Sequence, residues 1–78
     1  MTVEERVEKV FEEMGIDKAE LIPEVTLKSD LGIDSTEMVE LMVALEKEFS
    51  AKIPNGLIDG ECTVREIIDY FLTVAARS

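Results

Sequence analysis

The sequence predicts an all-α protein, a small three- to four-helix bundle with a long packed loop between helices one and two. Three observations carry that prediction. Three segments open on a capping-box pair, Thr2 with Glu5, Asp34 with Glu37 and Thr63 with Glu66. Behind each pair the apolar residues recur at helical spacing. The chain has 78 residues, enough for one domain (1–78) with one small core, burying about 60% of the surface that the unfolded chain exposes.

The first helix follows Thr2, with Val3, Val7, Val10, Phe11 and Met14 on one face. Glu4, Glu5, Glu8, Lys9, Glu12 and Glu13 lie opposite. Gly15 stands where a left-handed cap residue is expected.

Residues 16–34 lack a clean period, and Pro23 breaks any helix through their middle. Leu21, Ile22, Val25, Leu27, Leu31 and Ile33 make the stretch too apolar for a free linker. It should therefore pack, with a short helical turn at 18–21, and present residue 35 at one end of the bundle.

The central helix starts at the Asp34-Ser35 pair and runs through Glu48 and Phe49 to a stop near Ile53-Pro54. Met38, Leu41, Met42, Leu45 and Phe49 cover one arc of about 100°. Val39 and Val43 lie on the far side with Glu40 and Lys47, and Glu46 stands at the margin. Both valines line up with Ser35 along one stripe. Two readings of that stripe stay open: contact with the last helix, or a docking strip beside the serine. Ser35 falls in the first turn, where backbone N–H groups lack intrahelical partners and the helix dipole is positive. A phosphate ester would be at home there, although Ser opens many helices simply as a cap.

Pro54-Asn55-Gly56 marks a turn. Leu57 and Ile58 suit one short helical turn or an ordered loop. The last helix then follows Thr63, with Val64, Ile67, Ile68, Phe71, Leu72 and Ala75 as its apolar stripe.

Composition narrows the function. Eighteen acidic and eight basic residues give a net charge of −10, which disfavours nucleic acid and anionic membranes and favours a basic partner surface. No histidine is present, so the commonest general base and metal ligand are missing. Nothing in the spacing places a lysine base beside Ser35. The single Cys62 cannot form an internal disulfide or a zinc cluster and reads as a packed apolar residue. Asp30, Gly32 and Asp34 only faintly match a calcium loop, since Ser35 replaces its Gly and Leu41 its final Glu. No metal site and no catalytic constellation are expected. No basic-then-apolar leader opens the chain and no apolar run spans a membrane, so a soluble, cytoplasmic monomer is expected.

The run Leu31-Gly32-Ile33-Asp34-Ser35, followed by Val39-Glu40-Leu41 and Ala44-Leu45-Glu46 through Phe49, Ile53 and Pro54, resembles the acyl carrier proteins. The long first loop and the segment from Thr63-Val64 to Ile68-Asp69-Tyr70 share the resemblance, which covers nearly the whole chain. It implies a carrier, not an enzyme, whose serine receives 4′-phosphopantetheine from a separate phosphopantetheinyl transferase. By position, Ser35 is the attachment site and Asp34 its motif partner. Thr36, Glu37, Val39, Glu40, Val43, Glu46 and Lys47 fall on the docking helix that acyl-transferring and acyl-modifying enzymes with basic surfaces would meet. The thiol of the arm, not Cys62, would hold acyl groups as thioesters.

Three features depart from fatty-acid carriers. Thr36 stands where they have Leu, Lys47 interrupts their acidic run, and residues 55–60 are less acidic than is usual there. Fatty-acid synthesis and a specialised lipid, polyketide or aminoacyl pathway therefore both stay open. The alternative of another class is an acidic helical interaction module in which Ser35 is only a cap.

Overall fold

Thr2 begins the first helix as its spacing predicts. Its hydroxyl accepts from the Glu5 N–H at 3.1 Å, and its own N–H donates to the Glu5 carboxylate at 3.0 Å. A computed structural model describes residues 2–54 and 56–77 of the chain. Three α-helices follow one another: α1, Val3–Glu13; α2, Ser35–Phe49; and α3, Val64–Arg77. No strand occurs among the described residues, only an isolated antiparallel bridge between Thr26 and Thr63.

The apolar stripes meet in one core. Phe11, Phe71, Leu27, Leu41, Leu45, Ile67, Val7, Val10 and Val64 are its largest fully buried side chains. Each contributes about 1.5–3 kcal/mol by leaving water. α1 packs on both other helices. α2 and α3 meet where Phe49 stacks on Phe71, ring centroids 4.1 Å apart. No polar or charged side chain is buried among the described residues, so packing alone holds the interior.

The expected helical turn in the first loop forms as a 3-10 turn at Lys18–Glu20, one residue shorter than the spacing suggests. Asp17 and Glu20 cap it reciprocally. Most of the rest of the loop packs, with Leu21, Leu27 and Ile33 buried and Val25 and Leu31 half-buried, but Ile22 beside Pro23 stays exposed. Four backbone bonds stitch it to the start of α3. Leu27 N–H reaches Cys62 O, Lys28 N–H reaches Gly60 O, Val64 N–H reaches Val25 O and Arg65 N–H reaches Pro23 O, at 2.9–3.2 Å. The loop thus satisfies first-turn donors of α3 that would otherwise be unpaired.

Beyond α2 the chain turns on Ser50, whose φ of 50° ends the helix in the left-handed region. Asn55, the middle of the expected turn, lies outside the described residues. Leu57 N–H donates to Pro54 O at 3.2 Å. No helix forms among the described residues of this segment, so the bundle settles at three α-helices, with Ile58 buried as an anchor.

Candidate functional site

Asp34 and Glu37 set the start of α2. The Glu37 N–H donates to Asp34 Oδ1 at 2.8 Å, and the Asp34 N–H donates to Glu37 Oε1 at 3.2 Å. Met38 N–H takes the Asp34 carbonyl at 2.8 Å. Gly32, with φ of 71°, turns the chain into this cap, a conformation that a side chain would resist. Two first-turn donors, the N–H groups of Ser35 and Thr36, find no acceptor among the described residues. Ser35 itself is exposed, and its hydroxyl makes no hydrogen bond within the described chain. An exposed alcohol therefore sits beside spare amide donors at the positive end of a 15-residue helix.

A cavity of about 340 Å³ opens at this point, lined by Lys28, Ile33, Asp34, Ser35, Met38 and Gly60. Ile33 and Met38 supply apolar floor and Lys28 a positive charge. Sequence spacing places no lysine by Ser35, but the fold brings one to its cavity. Lys28 is seven positions away in sequence, but the folded loop brings it to the same cavity. Gly32 N–H bonds to Lys28 O at 3.1 Å and Lys28 N–H bonds to Gly60 O at 2.9 Å, a closure that helical spacing does not encode.

The remaining residues of the proposed docking helix divide into two groups. Val39 is 61% exposed and Val43 45%, so the last helix does not cover them. Thr36, Glu40 and Lys47 are also exposed. Two acids are already committed within the fold. Glu37 serves the cap, and the half-buried Glu46 turns back to accept from the Ile53 N–H at 2.8 Å.

Other chemistry is placed elsewhere. Asp30, one of the faint calcium-loop acids, accepts from the Thr26 N–H at 2.8 Å and from its hydroxyl at 3.1 Å. Asp34 serves the cap. No group of three or more metal-ligating side chains occurs among the described residues. Cys62 is buried, and burial pushes its thiol up to about 11, with the Glu66 and Asp59 charges adding to the effect. It is overwhelmingly protonated at neutral pH and a poor nucleophile. No helix among the described residues is long and apolar enough to cross a membrane.

Residues 5–71 match the family described as phosphopantetheine attachment site. The group carried by that family is covalent 4′-phosphopantetheine. The residues around Ser35 fit it: an accessible alcohol for the ester, two free amides and an ammonium for the phosphate, and apolar floor for the first part of the arm.

Proposed function

The chain belongs to the phosphopantetheine attachment-site family of carrier proteins, and from that premise we propose that Ser35 is the attachment residue of an acyl carrier. The observation that supports this most is the exposed Ser35 hydroxyl on a rigidly capped helix start, facing its own cavity. A separate phosphopantetheinyl transferase activates the hydroxyl. Its oxygen then attacks the phosphorus of coenzyme A joined to the pantetheine and displaces the adenosine bisphosphate portion. The chain's own part is to hold the alcohol still and exposed. Asp34 and Glu37 do this by fixing the first turn, and the exposed position leaves both partners room.

When bound, the arm supplies a flexible thiol that carries acyl groups as thioesters. The protein around it supplies recognition, not catalysis. Val39 and Val43 form the apolar part of a docking strip, and Glu40 the acidic part, suited to enzymes with basic surfaces. Lys47 and Thr36 mark this strip as different from a uniformly acidic one. Partners that offer an acid opposite Lys47 are favoured, which points to a dedicated lipid, polyketide or aminoacyl pathway beside the fatty-acid one.

Acyl loading tests the role. Holo-protein given a radiolabelled acyl donor and its acyltransferase should acquire label that neutral hydroxylamine releases. The Cys62→Ser variant should load equally, and Ser35→Ala should not load. Label that depends on Cys62 and ignores Ser35 would overturn the assignment.

A further inference from the structure

The cation at the serine is the feature that the family premise leaves unexplained. Lys28 lies in the first loop, seven residues before Ser35 and outside α2, yet it lines the cavity that opens on Ser35. Its backbone is fixed on both sides, by its N–H to Gly60 O at 2.9 Å and by Gly32 N–H to its carbonyl at 3.1 Å. Its stem lies against Gly60 so closely that a Cβ there would stand 3.0 Å from Lys28 Cβ and 3.1 Å from Lys28 Cδ. The absence of a side chain at residue 60 thus lets the lysine stem run along the cavity wall.

The chain has a net charge of −10, and three of its basic side chains are paired with acids. Arg6 and Lys9 pair with Glu48, and Lys18 pairs with Glu8. Lys28, like Lys47, Lys52 and Arg65, pairs with no carboxylate among the described residues, but of these four it alone lines the cavity at Ser35. Asp34 in the same cavity, Asp30 two residues on and Asp59 next to Gly60 are each bonded to a backbone donor. Asp34 accepts from Glu37 N–H, Asp30 from Thr26 N–H, and Asp59 from Glu61 N–H at 2.9 Å. In this cavity the ammonium stands with an alcohol that would carry a phosphodiester, whose charge, unlike that of Asp34, is not engaged by the helix cap.

We infer that Lys28 is a positioning residue for the arm, its ammonium pairing with the phosphodiester on Ser35 and holding the first bonds of the arm over the Ile33–Met38 floor. The inference rests on Ser35 being the attachment residue. The pair also offsets the repulsion that a new negative charge meets beside Asp34 and Glu37. It forms and breaks with ionic strength, because at about 1 M salt the screening length falls to about 3 Å.

The test uses full-length protein in apo and holo forms. Intact mass first establishes that wild type, Lys28→Gln and Lys28→Arg each carry one phosphopantetheinyl group. The 31P resonance of the holo-proteins is then compared at low and molar salt. At low salt, Lys28→Gln should shift the resonance towards that of the free phosphodiester, and Lys28→Arg should restore the wild-type position. In molar salt the three should converge. The rise in melting temperature from apo to holo should likewise be larger in wild type than in Lys28→Gln, a difference that salt abolishes. Full loading with an unchanged 31P resonance and an unchanged apo-to-holo difference in Lys28→Gln would overturn the lysine's role alone. Failure of the wild type to load at Ser35 would overturn the attachment reading and this inference with it.

Discussion

The Arg6 guanidinium lies over the Phe49 ring, 4.4 Å from its centroid. The same side chain donates from Nε to Glu48 Oε2 at 3.0 Å and from Nη2 to the Glu48 carbonyl. Since Phe49 stacks on Phe71, one α1 residue ties together the end of α2 and the middle of α3, at the end of α2 opposite Ser35. α2 needs such a fastening, because a helix exposed at Val39 and Val43 is not held by burial on every side.

Replacing Arg6 by Ala should therefore destabilise the fold by about 2 kcal/mol. That sum combines about 0.5–1 for the ring contact, about 0.2–1 for the ion pair and about 0.5–1.5 for the bond to the carbonyl. Urea denaturation measures it. A loss under about 0.5 kcal/mol would show the cluster to be incidental.

The same cluster predicts a pH dependence. Hydrogen bonding from Arg6, with Lys9 assisting, holds the Glu48 carboxyl below its ordinary value of 4.5 despite partial burial. A depressed folded value means that stability is present above the unfolded value and lost as pH falls through the folded one. The advantage of wild type over Glu48→Gln should thus be constant near neutrality and vanish well below pH 4.5. An advantage that grows as the pH drops would reverse the sign and reject the pairing.

Glu46 should prove more important for folding than for docking. Its carboxylate accepts the Ile53 N–H at 2.8 Å and holds the chain where it leaves α2. In Glu46→Ala that partly buried donor loses its partner, at a cost of about 1–3 kcal/mol. Glu46→Gln keeps an acceptor oxygen and should lose much less. Equal melting temperatures for Ala, Gln and wild type would return Glu46 to the docking strip.

These two carboxylates show where the sequence was legible. Capping pairs three residues apart and apolar stripes are local patterns, so Thr2, Asp34 and Thr63 could be read as helix starts and Leu41 and Leu45 as core. The Asp34–Glu37 pair likewise puts Ser35 in the first turn of α2, where the structure has it. Glu46 looked like one more surface acid, because its acceptor role depends on how the chain folds back seven residues later. Lys28 was missed for the same reason, since its neighbours Gly60 and Ser35 meet only through the stitched loop. Ser50 gave no signal as a left-handed cap, a position more often filled by Gly or Asn.

Self-repulsion sets another expectation. With net −10 on one small domain, screening should relieve the folded state. Moderate salt or millimolar magnesium should raise the apo-protein's melting temperature at neutral pH. An unchanged or lower value would show that repulsion does not limit this fold.

Everything proposed for the arm depends on its attachment to Ser35. Intact mass after incubation with coenzyme A and a broad-specificity phosphopantetheinyl transferase reads it directly. Wild type should gain one phosphopantetheinyl group. Ser35→Ala should gain none while keeping its helical circular dichroism, because Asp34, not Ser35, caps the helix. A wild type that stays apo, or a Ser35→Ala variant that loads at the wild-type rate, would contradict the account.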